Sequence, residues 1–90
     1  MNIDRDQLEA AHKHSICNRT EIVQSERCGC FYCFQMFHPN EVVEWTDEDD
    51  PGGMTALCPH CGMDSVIGDS LGFPADNADF LKAMYQKYFT

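Results

Sequence analysis

Hydrophobic residues near the C-terminal end of the chain recur three and four positions apart, and this spacing predicts an amphipathic helix. The residues on its apolar side form a broad stripe: Phe80, Leu81, Met84, Tyr85 and Tyr88. The polar residues Lys82, Gln86 and Lys87 lie between them and are left for solvent. We expect this helix to begin near Asp76, or at Asp79 if its cap lies later, and to seal the core.

A second helix is predicted from residue 4 to about residue 15. Asp4 stands three residues before Gln7, with Ile3 just outside and Leu8 just inside, as in a capping box with a hydrophobic staple. The apolar side of this helix holds only Leu8, Ala11 and at most Ile16, so it would pack onto something larger rather than stand alone.

Between these helices the apolar runs are short and turn residues are frequent, which predicts small strands joined by loops. The predicted strands are residues 21–25, 55–57 and 66–67. A further helix start, with proline at its first position, is predicted at residues 38–41, followed by Val42, Val43 and Trp45 on one or two helical turns. Four consecutive acids, residues 47–50, run into a Pro-Gly-Gly sequence, so residues 46–53 are predicted to form a loop.

Ninety residues make a single domain, which we divide into an N-terminal helix and strand (1–27), a central cysteine-containing module (28–68) and a C-terminal helix (69–90). A chain this short buries only about 60 to 65% of the surface that its unfolded form exposes. Apolar burial alone therefore gives little surplus stability, and the fold needs an additional constraint.

Two C-x-x-C motifs supply a candidate for that constraint. The first knuckle runs from Cys30 to Cys33 and the second knuckle from Cys58 to Cys61. Four thiolates from two tight turns can surround one tetrahedral Zn²⁺ and fill every coordination position, as in structural rather than catalytic sites. We therefore predict one structural zinc per chain, with Cys30, Cys33, Cys58 and Cys61 as its ligands. Residues 28–68 are thus predicted to form a zinc-binding module. Gly62 follows Cys61 directly and permits the positive φ that such turns often need.

Other residues near the motifs leave alternatives open. Cys28 offers a further sulfur that could replace or assist Cys30, although only the x₂ spacing closes a compact turn with Cys33. We favour Cys28 as a packed small hydrophobic residue and Cys17 as a thiol without a role. His60 lies inside the second knuckle, where the side chain normally points outward. The Phe31-Tyr32 pair at the tip of the first knuckle is either part of the core or an exposed anchor.

The charge distribution narrows the possible partners. The formal net charge is −9, and no lysine or arginine lies between Cys28 and Leu81, an interval with ten carboxylates. Such a surface repels phosphate backbones and therefore disfavours nucleic-acid binding. The first residues lack a secretion signal, and no stretch approaches the roughly 20 apolar residues of a membrane span. We therefore expect a reduced, cytoplasmic protein rather than a secreted disulfide framework.

The second knuckle also has a redox interpretation. Cys58-Pro-His-Cys61 resembles the active-site tetrapeptide of the thioredoxin superfamily, in which a helix N-terminus lowers the pKa of the first cysteine. That fold requires a long helix immediately after the motif, whereas Gly62, Val66-Ile67 and Gly68 follow it here. A thiol-disulfide oxidoreductase is therefore an alternative that we disfavour.

Several segments can be taken together: Cys28-Gly-Cys-Phe-Tyr-Cys33, Phe37-His-Pro-Asn-Glu-Val42 through Trp45, Thr55-Ala-Leu-Cys-Pro-His-Cys-Gly62, Asp64-Ser-Val-Ile-Gly68, and residues 80–89. From about Glu21 to Phe89 the chain resembles a family of small uncharacterised bacterial cytoplasmic proteins. The resemblance implies a zinc-ribbon-like domain with a helical tail, and it implies no activity.

The sequence thus predicts a small α+β fold, with a zinc-ribbon or treble-clef-like module flanked by two helices. For function it favours a non-enzymatic protein-interaction module, in which zinc rigidifies a small platform. An acidic inhibitor that occupies a basic nucleic-acid-binding surface on another protein, or an adaptor, would be specific forms of this class. The partner protein, the oligomeric state and the role of the acidic loop, residues 47–50, stay open.

Overall fold

The computed structural model describes residues 3–89, which fold into short helices and small antiparallel sheets. The helices are α1 (Arg5–Lys13), α2 (Arg19–Gln24) and α3 (Ala78–Tyr88). The strands are β1 (Cys28–Cys30), β2 (Met36–Phe37), β3 (Trp45–Thr46), β4 (Thr55–Ala56) and β5 (Val66–Gly68). A single 3₁₀ turn, Pro39–Glu41, lies between β2 and β3. The predicted small α+β class is confirmed at this level.

The first sheet has β1 at its centre and all its strands antiparallel, in the order β2-β1-β5. Cys28 lies opposite both Phe37 and Gly68, and Cys30 lies opposite Val66. The second sheet is the β3-β4 hairpin, in which Trp45 pairs with Ala56. The first knuckle therefore begins at the end of a strand paired on both sides, whereas the second knuckle follows a strand of a two-stranded hairpin.

The two faces of β1 contact different hydrophobic clusters, because successive side chains of a strand point to opposite sides. Cys28 and Cys30 belong to the cluster that also contains Ile22, Phe37, Val42 and Val66. On the other face, a Cβ added at Gly29 would collide with the carbonyl oxygen of Ala75. The second cluster joins α1 and α3 through Ala11, Phe31, Ile67, Phe80, Leu81 and Met84.

Both terminal helices lie where the periodicity predicts them. The Asp4 carboxylate accepts the N–H of Asp6 at 2.9 Å and so caps α1. The cap of α3 is Asn77, one residue after the first predicted start, and its side-chain oxygen accepts the N–H groups of Asp79 and Phe80 at 2.9 and 3.2 Å. Ile16 does not join the apolar face of α1, since it is 53% exposed.

Two predicted elements are wrong. Residues 21–25 were predicted as a strand, but they lie largely within α2, where Ile22 is fully buried and Val23 is 58% exposed. Burial of Ile22 against the sheet decides the conformation here, and it overrides the strand preference of an Ile-Val pair. The helical turns predicted for Val42 to Trp45 are also absent, because the 3₁₀ turn ends at Glu41 and Trp45 pairs with β4. Val42 is buried while Val43 is 77% exposed, an alternation typical of extended chain.

Candidate metal centre

The four cysteines of the two C-x-x-C motifs come together in space. The Sγ atoms of Cys30, Cys33, Cys58 and Cys61 all lie within 4.8 Å of one another. Two pairs that join the knuckles, Cys30 with Cys61 and Cys33 with Cys58, are each separated by 3.7 Å. A metal bound about 2.3 Å from each of four sulfurs in a tetrahedron separates the sulfurs by about 3.8 Å. The group therefore has the size of a tetrahedral metal site, and no pair has the roughly 2 Å separation of a disulfide.

The two knuckles have the same backbone hydrogen bonds. In each, the N–H of the first cysteine donates to the carbonyl five residues later, Cys30 to Gln35 at 3.0 Å and Cys58 to Met63 at 2.9 Å. The residue after the second cysteine donates back to the carbonyl of the first, also at 2.9 Å in both turns. These bonds close the chain into a turn that brings both sulfurs to one side.

Backbone N–H groups also point at sulfur in both turns. Tyr32 N–H donates to Cys30 Sγ at 3.3 Å, and His60 N–H donates to Cys58 Sγ at 3.4 Å. Such bonds stabilise a thiolate, which is the form of cysteine that binds metal. The equivalence of the knuckles therefore extends to the electrostatic support of the first cysteine in each.

The residue after each second cysteine has a left-handed backbone. Gly62 has φ 80°, as its place after Cys61 predicts, and Phe34 holds the same position in the first knuckle with φ 68°. This conformation costs a non-glycine residue roughly 1–2 kcal/mol. Phe34 offsets that cost by packing with the second hydrophobic cluster, where its ring meets Tyr85 edge-on at 5.5 Å. The motif alone did not reveal this strained position.

Burial and hydrogen bonds shift the pKa values of three of the sulfurs, and not all in the same direction. Burial works against ionisation of Cys58, but N–H groups of His60 and Cys61 donate to its sulfur and leave its pKa below the ordinary value. Burial, reinforced by the nearby Cys30, raises the pKa of both Cys33 and Cys61. Four thiolates this close repel one another unless a cation lies among them. A divalent ion at the centre would supply that charge and hold all four deprotonated.

Ser65 is a part of the site that sequence reasoning missed. Its hydroxyl is buried and lies 3.0 Å from Cys30 Sγ, and its carbonyl accepts the N–H of Phe31. A hydroxyl at this distance can donate to a thiolate and orient it. No spacing in the sequence points to Ser65, because the pairing of β1 with β5 places it beside Cys30.

The remaining cysteines lie outside the four-sulfur group. Cys28 is fully buried in the first hydrophobic cluster, and this burial raises the pKa of its thiol to about 12. Cys17 is half-buried, and its backbone N–H donates to Thr55 Oγ1 at 2.7 Å. Within residues 3–89, no further cluster of histidine, cysteine or carboxylate groups of metal-site size is present.

The histidines have other surroundings. His60 is exposed, as expected for the tip of a knuckle, with its ring 5.8 Å from that of Phe37. His12 stacks on Tyr88 at 3.8 Å, and His14 Nδ1 lies 3.0 Å from the Glu21 carboxylate. His38 donates its backbone N–H to the Glu41 carboxylate at 2.7 Å and so begins the 3₁₀ turn.

The Phe31-Tyr32 pair divides between the two predicted roles. Phe31 is 2% exposed and belongs to the core, whereas Tyr32 is 42% exposed. Tyr32 meets Phe89 edge-on at 5.1 Å, and Phe89 lies 5.5 Å from Tyr85. We call Tyr32, Phe34, Tyr85 and Phe89 the aromatic surface. It joins the first knuckle to the end of α3.

Comparison of the chain with protein-family models, with curated proteins and with solved structures found no match. The family resemblance and the zinc-ribbon assignment therefore stay predictions. Among residues 3–89, no helix has the length and apolar character needed to cross a membrane. The four-cysteine group itself is compatible with a structural metal module.

Proposed function

We propose that this chain is a non-enzymatic protein-interaction module whose fold is stabilised by one structural Zn²⁺. The observation that carries the proposal is the group of four Sγ atoms within 4.8 Å of one another, drawn from two equivalent turns. Four protein sulfurs fill a tetrahedral ion and leave no position for a substrate, which is the pattern of structural sites.

Zinc is the metal that suits this donor set best. Tetrahedral four-sulfur sites hold zinc or iron, and paired C-x-x-C turns of this kind are typical of structural zinc. Binding of a structural zinc supplies on the order of 10 to 16 kcal/mol of apparent free energy that is realised on folding. The stability of a whole domain is about 5 to 15 kcal/mol, so removal of the metal is expected to unfold this protein.

The aromatic surface is the contact region that we favour. Tyr32 and Phe89 are 42% and 37% exposed, and both are oriented by ring contacts with Tyr85. Aromatic side chains fixed in this way lose little conformational freedom on binding, and they are enriched among the residues that dominate interface energetics. The first knuckle holds one side of this surface and α3 the other, and the second hydrophobic cluster joins the two by packing Phe31 with Phe80 and Met84.

The carboxylates indicate the charge of the partner. Of the ten acidic residues between Cys28 and Leu81, nine are exposed, and the half-buried one, Asp69, accepts the N–H groups of Glu26 and Arg27. Complementary charge accelerates association and suppresses partners of the wrong sign. We propose a cytoplasmic protein partner with a basic surface, for which this chain acts as an inhibitor or adaptor.

The proposal is tested first on the metal. Elemental analysis of natively purified protein is expected to give one zinc per chain, with four thiols protected from alkylation until a chelator is added. Loss of zinc is expected to abolish cooperative thermal unfolding measured by circular dichroism. Protein that carries no tightly bound metal, yet folds cooperatively, would contradict the proposal.

The interaction is tested by capture of partners from the source cell with the zinc-loaded protein as bait. The double substitution Tyr32→Ala and Phe89→Ala is expected to remove the specific partner. Leu71→Ala is the matched control, because Leu71 is also exposed, at 55%, but lies outside the aromatic surface. Equal capture by both variants would exclude the aromatic surface as the contact region.

The redox alternative has less support. After Cys61 the chain forms a turn and then β5, and α3 begins only at Ala78, so no helix starts at the second knuckle. The low pKa of Cys58 comes instead from the turn's own N–H groups, which serve a metal ligand equally well. Turnover of a disulfide substrate by the zinc-loaded protein would restore this alternative.

A further inference from the structure

The four cysteines of the metal centre differ in how far each residue is exposed to solvent. Cys30 is fully buried and Cys58 is 4% exposed, Cys33 is half-buried, and Cys61 is exposed. A surface cleft of ≈ 210 Å³ runs beside Cys58 and Cys61, with Val43, Leu57 and His60 among its other walls. Cys61 is therefore the cysteine of the group that we expect a small reagent in solvent to reach first.

The two knuckles also differ in how firmly the structure holds them. Cys30 ends the central strand β1, and its sulfur lies against the Ser65 hydroxyl and the Tyr32 N–H. The residues of the second knuckle after Cys58 are all exposed and belong to no strand: Pro59, His60, Cys61 and Gly62. The second turn can rearrange without moving the three-stranded sheet, whereas the first cannot.

We propose that Cys61 is the site at which a peroxide modifies this protein, and that this modification opens the metal centre from the side of the second knuckle. The inference rests on the proposed zinc site. It adds to that proposal a modifiable residue and an order of events, neither of which follows from the presence of zinc alone.

The chemistry is a two-electron oxidation of two thiolates by one peroxide. The Cys61 sulfur attacks a peroxide oxygen, the S–O bond forms as the O–O bond breaks, and hydroxide leaves and takes a proton from solvent. The Cys58 thiolate then attacks the sulfenic sulfur of Cys61. A disulfide forms, the S–O bond breaks, and a second hydroxide leaves.

Cys58 is the resolving residue because it lies in the same exposed turn as Cys61, the second knuckle. Cys30 Sγ lies only 3.7 Å from Cys61 Sγ, but it is buried beside the Ser65 hydroxyl, and a bond with Cys61 would tie the exposed turn to the end of β1. A Cys58–Cys61 disulfide changes only the exposed second knuckle. Only Cys30 and Cys33 would then remain as ligands, a bound metal would be lost more easily to competing ligands, and oxidation would be coupled to unfolding.

The test uses the full zinc-loaded chain and hydrogen peroxide. Zinc content is measured first, and zinc release is then followed with a chromogenic chelator as peroxide is added. Remaining thiols are alkylated, and the chain is cleaved by a glutamate-specific protease. Glu41, Glu44 and Glu48 lie between the knuckles, so cleavage separates the two turns. We expect Cys61 to be oxidised first and the disulfide to stay within the Cys58–Cys61 fragment.

Substitutions sharpen the assignment. Cys61→His keeps a zinc ligand but removes the reactive sulfur, and it is expected to slow zinc release about tenfold. The matched substitution Cys33→His, at the half-buried sulfur, is expected to slow release far less. Cys17→Ser removes a thiol outside the group and is expected to leave the release rate unchanged.

The outcomes separate this inference from the proposed function. Native protein without zinc overturns both. Bound zinc with first oxidation at Cys30 or Cys33, or with a disulfide that links the two fragments, overturns only the role of Cys61. The same holds if the zinc-loaded Cys61→His variant releases its metal as fast as the parent. The fragment mapping is performed on the parent chain, so it decides the question even if a variant does not fold.

Discussion

The two knuckles share one backbone design and differ in everything around it. Both first cysteines donate to a carbonyl five residues later, and both receive an N–H at sulfur. The first knuckle continues the central strand of the three-stranded sheet, and its Cys30 and Phe31 are buried. The second follows a two-residue strand and stands largely in solvent. Local sequence therefore determines the turn, whereas tertiary packing determines how well each turn is protected.

The residue after the second cysteine of each knuckle shows the same contrast between local sequence and tertiary packing. The turn demands a left-handed residue in both knuckles, and glycine meets this demand in the exposed one. In the first knuckle the position is occupied by Phe34, whose packing with the core and with Tyr85 offsets its backbone strain. A non-glycine residue is thus tolerated in the left-handed conformation where it packs against the core. Glycine holds the same position where the turn is exposed.

The largest expected effect is that substitution of the buried ligand Cys30 weakens zinc binding more than substitution of the exposed ligand Cys61. Cys30→Ser is expected to lose zinc and cooperative unfolding, because the remaining polar group would be buried at the end of β1. Cys61→Ser is expected to retain weaker zinc binding, because water can complete the exposed position. Zinc stoichiometry and thermal melts measure both. A Cys30→Ser variant that binds zinc as well as Cys61→Ser would show that burial does not rank the ligands.

The next largest effect is expected from a substitution at Gly29, where β1 packs closely against Ala75. A Cβ at Gly29 would collide with the backbone carbonyl of Ala75, which cannot move as a side chain can. Gly29→Ala is expected to lower the free energy of unfolding by about 3 kcal/mol, the upper part of the usual range for overpacking. Urea denaturation of the zinc-loaded protein checks this value. A change below about 1 kcal/mol would mean that β1 and Ala75 separate easily.

The second knuckle has its own support in Asn18, which is 1% exposed. Its amide donates to the carbonyls of His14 and Val66 at 3.0 and 2.9 Å, and its oxygen accepts the N–H of Ala56 at 3.0 Å. Asn18→Ala leaves these groups buried without a partner and is expected to cost about 2 kcal/mol. The exposed Asn40→Ala is the control, and an equal cost for both would contradict a special role for Asn18.

Ser65 tests whether the protection of Cys30 extends to the metal. Ser65→Ala removes the hydroxyl 3.0 Å from Cys30 Sγ and is expected to weaken zinc binding about tenfold. Ser15→Ala serves as the control, because Ser15 is also buried but donates to the carbonyl of His12, away from the sulfurs. Competition with a chelator of known affinity measures both variants. Equal affinities would assign Ser65 a packing role alone.

The smallest expected effect concerns the exposed turn itself. Gly62→Ala meets no atom within 4 Å but must adopt φ 80°, so a loss of about 1 kcal/mol is expected from backbone strain alone. Gly62→Asn is expected to lose less, because asparagine tolerates this conformation. If alanine and asparagine destabilise the zinc-loaded protein equally, strain at this position is not what the glycine relieves.

Much of this arrangement follows from local sequence. The C-x-x-C spacing, with glycine after Cys61, predicted turns whose hydrogen bonds close within six residues. The capping signals around Asp4 predicted α1, and the apolar spacing of three and four predicted α3, each to within about two residues at its ends. These features depend on residues that are close together in the sequence, so they can be predicted from it.

Other features depend on contacts between distant segments, and only the tertiary structure decided them. Residues 21–25, predicted as a strand, lie largely in the helix α2, where Ile22 is buried. The pairing of β1 with β5 places Ser65 beside Cys30. The sequence by itself determined that four sulfurs could meet in two equivalent turns. The packing of the sheet determined which sulfur is enclosed and which faces solvent, because burial is a property of the assembled chain rather than of any motif within it.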